Sequence, residues 1–186
     1  APRLRGVMII MMLQAHDSGK ITIIINGRGG VGKDTLCDIA ATRYRVRNVS
    51  SITPIKKIAR ENGWNGEKDL RARRFLSELK RVFTEYNDLP TVYLLEQYRD
   101  FLGTDEQILF VHIREPEQIA HFVSSLGAPC LTLLVRRRDD ALADTYGNHS
   151  DDDVEDYPYD YIFDNSAPLE ESGPEFLRVL ARILEN

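Results

Sequence analysis

The sequence ITIIINGRGGVGKDT, residues 21–35, contains the strongest structural signal in the chain. Its apolar half suits a buried strand that leads into Gly27, and Gly32 and Lys33 follow after four intervening residues, where a helical pattern begins. Glycines let the backbone turn tightly and bring its N–H groups close to phosphate oxygens. The start of the helix adds a partial positive charge, and Lys33 can reach the terminal phosphates. The segment therefore predicts a loop that binds a nucleoside triphosphate.

The predicted nucleotide-binding residues form one continuous segment, made of Gly27, Arg28, Gly29, Gly30, Val31, Gly32, Lys33, Asp34 and Thr35. Such loops usually end in Gly-Lys-Ser/Thr, whereas here Asp34 stands between Lys33 and Thr35. A glycine-rich turn that only joins a strand to a helix is the alternative, but it leaves the lysine and the glycine spacing unexplained. A dinucleotide-binding fingerprint fits less well, because a lysine directly follows the glycines.

Length and composition favour a single globular domain, because 186 residues are enough for a sizeable core and 42% of them are hydrophobic. The formal net charge of -5 argues against binding a nucleic-acid polymer through a general basic surface. Cys37 and Cys130 both lie in apolar patterns, so we predict reduced core residues rather than a disulfide. None of these features predicts the oligomeric state.

Residues 1–19 are interpreted as an N-terminal extension to the domain. The apolar run at 6–13 follows two arginines, which raises the possibility of a leader, but it is too short to span a bilayer and lacks a clear cleavage site. A remnant of an expression vector, an upstream start or an additional buried strand is the preferred interpretation. We therefore predict a cytoplasmic protein with no membrane partner.

Apolar runs suited to buried strands alternate with helical patterns from residue 21 onward, which predicts an α/β fold with a parallel sheet and helices on both faces. The predicted strands are 21–25, 48–52, 108–113, 131–135 and 161–163. The predicted helices are 33–44, 54–61, 69–86, 91–102, 116–126 and 174–184. The acidic stretch 139–159 contains Gly147 and Pro158 and few aliphatic residues, so we predict a mobile excursion before the last strand.

Within that excursion, Asn148-His149-Ser150 precedes three consecutive aspartates at 151–153. A metal site is conceivable on composition, but a solvated acidic loop is the favoured interpretation.

The loop motif GKDT at 32–35 resembles that of the nucleoside monophosphate kinase superfamily. Within it, the chain is most similar to the branch with phage-type deoxynucleoside monophosphate kinases and animal phosphomevalonate kinases. TPIKKIA at 53–59 is similar to a segment after the second strand of that branch. FVHIREPEQI at 110–119 is similar to its third strand and the next helix, and YDYIFDN at 159–165 to its last strand.

The resemblance implies a P-loop three-layer α/β/α domain over residues 20–186, with strand order 2-3-1-4-5 and a lid-like segment at about 136–159. It also implies an enzyme, an ATP- and Mg²⁺-dependent phosphotransferase that moves the γ-phosphoryl group to a small phosphate-bearing acceptor. A nucleoside or deoxynucleoside monophosphate is the preferred acceptor, and phosphomevalonate remains open.

Such a reaction needs several positively charged side chains around the transferred phosphoryl group. Arg114 follows the third predicted strand, where ligands of open α/β sheets bind, and by resemblance it contacts the acceptor phosphate. A surface ion pair with Glu115 or Glu117 is the alternative. Lys33, Arg114 and Arg137 are the predicted catalytic residues, with Arg137 chosen among the three lid arginines at 136–138.

Lys56, Arg74 and Arg114 are the predicted acceptor-binding residues. Lys56 is assigned by resemblance, with a solvated helix lysine as the alternative. Arg74 is chosen from a basic cluster on one helix, most of which is expected to be a solvated face; the cluster comprises Arg71, Arg73, Arg74, Lys80 and Arg81.

His112 departs from the resemblance, because the family usually has Asp there to hold Mg²⁺ through water. Thr35 and Asp34 are therefore the predicted magnesium ligands, with Glu115 as a further candidate. The departure also keeps a second function open, a regulatory or structural nucleotide-binding protein with little transfer activity. A guanine-specific switch is disfavoured, because no Asn-Lys-x-Asp motif is present.

Overall fold

The computed structural model describes residues 19–138 and 153–185. Within these residues, the strands are β1 (Ile21–Asn26), β2 (Val46–Ser50), β3 (Ile108–His112), β4 (Leu131–Arg136) and β5 (Tyr161–Asp164). The α-helices are α1 (Lys33–Ala41), α2 (Thr53–Glu61), α3 (Leu70–Asn87), α4 (Leu89–Leu102), α5 (Pro116–Leu126) and α6 (Leu169–Glu185). A short 3₁₀ helix at Asp153–Glu155 precedes β5.

The five strands form one parallel sheet in the order β2-β3-β1-β4-β5, which confirms the predicted α/β fold and strand order. Because all strands run in the same direction, their carboxyl ends lie at one edge of the sheet. The chain leaves β1 and β3 at that edge, side by side, and the phosphate loop follows β1. Ligands of open α/β sheets bind at such an edge.

The alternating isoleucines of β1 explain why helices cover both faces of the sheet. Ile23 and Ile25 pack on one face in a buried cluster with residues of α1 and α6, including Phe176. Ile24 packs on the other face with residues of α4 and α5, including Phe122. All three isoleucines are 0% exposed. A strand buried on both faces has a near-continuous apolar sequence, as β1 does.

The second strand lies two residues earlier than predicted, at Val46–Ser50 rather than 48–52. It is an edge strand with only Val49 buried, so it tolerates polar residues that weaken the apolar pattern. Arg47, for example, donates from Nε to a carboxylate oxygen of Glu106 at 2.7 Å. The chain then turns into α2, which begins at Thr53.

The last helix begins at Leu169, five residues before the predicted start at Pro174. Proline is common in the first turn of a helix, which is why the pattern favoured a start there. In the interior, a proline leaves one carbonyl without its helical donor. The unmatched carbonyl belongs to Glu170, which is exposed, so water can satisfy it.

The entry to β1 is fixed by Lys20. Its ammonium group donates to three backbone carbonyls, those of Phe101 at 2.9 Å, Thr104 at 2.6 Å and Glu106 at 2.7 Å. It also lies 4.5 Å from the centre of the Phe101 ring. These contacts fasten the start of the sheet to the end of α4, at the edge opposite the phosphate loop.

Candidate active site

The phosphate loop depends on glycine at two positions where a side chain would collide with other parts of the fold. Gly27 has φ 151°, and a Cβ atom there would lie 2.4 Å from the backbone oxygen of Val135. Gly32 has φ 89°, and a Cβ atom there would lie 2.6 Å from Nδ2 of Asn165. The loop is therefore packed tightly against the carboxyl ends of β4 and β5.

Lys33 lies across this loop at the start of α1. Its ammonium group donates to the carbonyl oxygens of Gly27 at 2.6 Å and Arg28 at 2.9 Å. The side chain is half-buried, whereas Arg28 is exposed. The lysine thus holds its charge at the exposed side of the loop, beside the N-terminus of α1, where an anion is favoured.

Magnesium is implied by the resemblance, and the residues after Lys33 provide suitable ligands. Asp34 and Thr35 are both exposed in the first turn of α1 and offer a carboxylate and a hydroxyl oxygen. Mg²⁺ prefers oxygen and is usually held by one or two protein ligands together with waters and substrate phosphates. The pair fits that pattern. Across residues 19–138 and 153–185, no group of three or more metal-ligating side chains is gathered.

Asn26, the last residue of β1, connects three parts of the site and is 1% exposed. Its carbonyl oxygen accepts a hydrogen bond from the Gly27 N–H at 2.8 Å. Its amide nitrogen donates to the backbone oxygen of Arg114 at 3.0 Å and to the hydroxyl of Tyr159 at 2.8 Å. That hydroxyl donates in turn to the backbone oxygen of Val154 at 2.7 Å. The phosphate loop, the end of β3 and the segment before β5 are therefore joined.

The arginines at the end of β4 have different partners. Arg136 lies 3.8 Å from a carboxylate oxygen of Glu155, and the same carboxylate lies 3.7 Å from Arg28 of the phosphate loop. Arg138 pairs with Asp164 at 2.7 Å. Arg137 is exposed between them. Arg136 and Arg138 thus lie next to carboxylates of the fold, and the choice of Arg137 as the catalytic arginine remains a prediction.

Lys56, a predicted acceptor-binding residue, is half-buried and feels the charges of other cations. Burial lowers the pKa of Lys56, the charges of Arg60, Lys68 and Arg114 lower it further, and Asp34 raises it. Lys56 therefore lies within electrostatic reach of both the predicted acceptor arginine and the start of α1. A cluster of cations next to a phosphate loop is suited to a second anionic group.

Glu115 forms an ion pair with a lysine of α3. Its carboxylate accepts from the ammonium of Lys80 on α3 at 2.7 Å, and the Lys80 side chain is only 12% exposed. This pair joins α3 to the start of α5, directly beside Arg114. Glu115 is therefore occupied by Lys80, which makes it a weaker magnesium candidate than Asp34.

The arginines of α3 point in different directions. Arg73 precedes Lys80 by seven residues, about two helical turns, so both project from the side of α3 that faces the site. Arg74 instead lines a depression of about 500 Å³ on the outer side, together with Phe75 and Glu78. Arg74 as an acceptor ligand remains a prediction.

His112 ends β3 in a half-buried position below α1. Its Nε2 atom lies 3.3 Å from Oδ1 of Asn48 and 3.9 Å from Sγ of Cys37. Burial lowers the pKa of His112; Asp34 raises it and Lys33 lowers it. The imidazole is therefore neutral at physiological pH. It lies within electrostatic reach of the residues that open α1.

Both cysteines are free, with Cys37 buried and Cys130 half-buried, as predicted. Burial raises the pKa of Cys37 to about 12 and that of Cys130 to about 11. Each remains a thiol at neutral pH.

Some of the predicted features lie outside the described residues: most of the predicted lid, with Asn148, His149 and Ser150, and residues 1–18. In the described part of the chain, no helix has the length and apolar character needed to cross a bilayer.

Sequence reasoning missed the roles of Asn26, Tyr159, Glu155 and Lys80. One signal was available for Asn26, since a polar residue ends an otherwise apolar strand directly before Gly27. The others contact partners far away in sequence, as Tyr159 does with Asn26 at a separation of 133 residues. No local pattern predicts such a pair.

Comparison with known proteins gives matches only at the level of structure. No family model matches the chain, and no curated protein matches it. A candidate kinase from Chloroflexus aurantiacus J-10-fl has a TM-score of 0.59 at 15% identity, over 90% of this chain and 97% of that one.

Two further structures are similar. The tunicamycin resistance protein of Deinococcus radiodurans has a TM-score of 0.54 at 13% identity, covering 88% of this chain and 95% of that one. Shikimate kinase from Aquifex aeolicus vf5 has a TM-score of 0.50 at 11% identity, covering 87% of this chain and 96% of that one. Likeness at such identities establishes the fold and leaves the substrate open. The chain has the three-layer α/β fold of the P-loop kinases.

Proposed function

We propose that this protein is an ATP-dependent kinase that transfers the γ-phosphoryl group to a small acceptor already bearing a phosphate, with a nucleoside or deoxynucleoside monophosphate as the first choice. The observation that supports it most is the phosphate loop itself, with Lys33 held across the carbonyls of Gly27 and Arg28 at the start of α1. The charge of Arg114 also acts on half-buried Lys56, as does that of Asp34 in the first turn of α1. The donor triphosphate occupies the loop, and the acceptor phosphate lies among these cations.

Phosphoryl transfer requires positioning and neutralisation of charge more than covalent chemistry. Lys33 and the backbone N–H groups of the loop hold the β and γ phosphates of the donor. Arg114 orients the acceptor phosphate in line with the γ-phosphorus, and Arg137 approaches the transferred group from the lid side. Asn26 is hydrogen-bonded to both Gly27 and Arg114, so it keeps the donor and acceptor sites in register. When bound by Asp34, Thr35 and the phosphates, Mg²⁺ supplies further neutralisation.

A phosphate acceptor fits the charges better than an alcohol acceptor. An alcohol must lose a proton and calls for a nearby general base, whereas a phosphate oxygen is already nucleophilic. Glu115, three residues after the end of β3, is engaged by Lys80 at 2.7 Å. The end of β2 offers the hydroxyls of Ser50 and Ser51. The cationic surroundings of Lys56 favour an anion instead.

The test is a coupled ADP-release assay with ATP and Mg²⁺ against nucleoside and deoxynucleoside monophosphates, phosphomevalonate and shikimate. We expect turnover with one of the phosphate-bearing acceptors and its loss in Lys33→Ala. Lys56→Ala should raise the KM for the acceptor, while Lys57→Ala, an exposed neighbour on the same helix, should leave it unchanged. Turnover with shikimate and none with the monophosphates would overturn the choice of acceptor.

The second candidate function is a regulatory or structural nucleotide-binding protein, favoured by His112 at the position where the family usually has Asp. It predicts a rise in melting temperature with ATP and Mg²⁺, abolished in Lys33→Ala, without turnover on any acceptor. Restoration of turnover in His112→Asp would identify a kinase that has lost its activity at that residue.

A further inference from the structure

Asn165 directly follows β5, and its side chain lies against the phosphate loop. The amide nitrogen, Nδ2, donates to the backbone oxygen of Val31 at 2.8 Å, across a separation of 134 residues. The backbone N–H of Asn165 donates to the oxygen of Arg136 at 2.7 Å, immediately after the last residue pair of β4 and β5. The asparagine is therefore held on the end of the sheet, and from there it fastens the middle of the loop.

The orientation of the Asn165 amide is fixed by its partner. A backbone carbonyl oxygen such as that of Val31 only accepts hydrogen bonds, so it faces the NH₂ end of the amide. The residue is 7% exposed, and its Oδ1 atom accepts no hydrogen bond from the residues that the structure describes. A buried amide oxygen without a donor costs stability. Stability alone therefore explains this asparagine poorly, and its N–H donor is the part of the side chain that the fold uses.

The contact with Val31 sets the direction of the next N–H group in the loop. Val31 and Gly32 share one peptide bond, and all peptide bonds of the described residues are trans. In a trans peptide, the carbonyl and the N–H point in opposite directions. Because Asn165 holds the Val31 oxygen on its own side, the Gly32 N–H points away from Asn165.

This N–H group lies where an anion is favoured. Gly32 is the N-cap of α1, has a left-handed backbone and has no side chain that could cap the helix. The first N–H groups of a helix have no partner within it, and they form the positive end of the helix dipole. If the Val31–Gly32 peptide rotated, an oxygen would replace this donor, and an oxygen repels a phosphate.

The close approach of Asn165 depends on the glycine at position 32. A Cβ atom there would lie 2.6 Å from Nδ2 of Asn165, so a larger residue would push the amide away from the loop. The φ angle of 89° is a second reason for glycine. Gly32 thus leaves the space that the Asn165 amide fills, and the two residues together fix the peptide between them.

We propose that Asn165 is a positioning residue of the nucleotide site, which directs the Gly32 N–H toward the phosphates of the donor by holding the Val31 carbonyl away from them. The inference rests on the proposed function in one respect, that a triphosphate binds the loop, and it does not require transfer. Asn165 acts through Gly32 and does not itself need to contact the nucleotide.

Titration calorimetry of the full chain with ATP and Mg²⁺ tests the effect on binding. Asn165→Ala should weaken ATP binding by about tenfold or more, because a hydrogen bond to a charged group is misdirected. Asn165→Asp keeps the shape but replaces the donor with an acceptor that repels the Val31 oxygen, so it should lose at least as much. Thr132→Val is the control. Thr132 is 4% exposed and bonds to Asp160 near the amino end of β4, so its loss should lower the melting temperature without changing ATP affinity.

Amide NMR separates positioning from a general loss of structure. In the isotope-labelled wild type, inorganic tripolyphosphate should shift the Gly32 amide proton downfield, as a hydrogen bond to a phosphate oxygen does. In Asn165→Ala this shift should be lost, whereas Thr132→Val should retain it. An unchanged ATP affinity and an unchanged Gly32 shift in Asn165→Ala would overturn the inference and leave the proposed function intact. A wild type that binds no ATP would instead overturn the proposed function, and the inference with it.

Discussion

Asn26 and Tyr159 lie 133 residues apart in the sequence, and their amide nitrogen and hydroxyl oxygen lie 2.8 Å apart. The same asparagine holds Gly27 and Arg114, and the same tyrosine holds Val154. One hydrogen bond therefore attaches the segment before β5 to the phosphate loop and to the predicted acceptor site.

Tyr159→Phe removes this bond, and the one that the hydroxyl donates to Val154, while retaining the ring. It leaves one N–H of a buried asparagine without a partner, so we expect a loss of about 1–3 kcal/mol in the free energy of unfolding. Urea denaturation provides the measurement, with Tyr161→Phe on the exposed edge strand as the control. An unchanged midpoint for Tyr159→Phe would mean that the two hydrogen bonds of the hydroxyl contribute no net stability.

The glycines of the loop should differ in their tolerance of alanine. At Gly30 a Cβ atom would meet nothing within 4 Å, and the penalty is the left-handed backbone alone, about 1–2 kcal/mol. At Gly27 the Cβ atom would also collide with a backbone oxygen of β4, so the loop must move. We expect Gly27→Ala to destabilise more and to lose ATP binding, measured by calorimetry. Equal effects of the two substitutions would contradict the packing described for β4.

The ion pair of Lys80 and Glu115 is suited to a double-mutant cycle. Lys80→Met leaves a half-buried carboxylate without its partner, and we expect a loss of about 1–3 kcal/mol in the free energy of unfolding. Adding Glu115→Gln should recover part of that loss, since the two residues are in contact. Arg178→Met, in an exposed pair with Glu175, should change stability by less than about 1 kcal/mol. Strict additivity of the two site mutations would show that the pair contributes nothing.

His112 should make the protein less stable in acid. Its pKa in the folded state lies below the ordinary 6.5, so between those two values the unfolded chain binds more protons than the folded one. Stability should therefore rise with pH through that interval and level off above it. The fall in melting temperature between pH 7.5 and pH 5.5 should be smaller in His112→Gln than in the wild type. The same fall in both proteins would assign the acid sensitivity to other groups.

Much of the fold could be predicted because its central elements have local patterns. The run of isoleucines in β1 indicates a strand buried on both faces, and the glycine spacing before Lys33 requires a turn into a helix. The position of the edge strand β2 and the start of the last helix, α6, were less predictable. β2 contains Arg47, whose charge is satisfied by Glu106 rather than by water, and α6 continues through Pro174 because its first turn is exposed.

The candidate site shows the same difference between features with a local sequence pattern and features that depend on distant contacts. The phosphate loop is one continuous segment whose chemistry can be read from residue types alone. The predicted acceptor residues lie on α2, on α3 and after the end of β3, and the partner of each charged residue there depends on helix orientation. That is why the contact of Glu115 with Lys80 could not be predicted, and why the sequence offered only a preference for Arg74 among the basic residues of α3.

The anchoring of Lys20 has a practical consequence for handling the protein. The six residues of β1 span about 20 Å between that anchor and the phosphate loop. A linker joined directly to Gly19 would enter the domain at the edge of the sheet far from the phosphate loop. Immobilisation through that end, on a sensor chip or a bead, should therefore leave the loop open to ligands in flow.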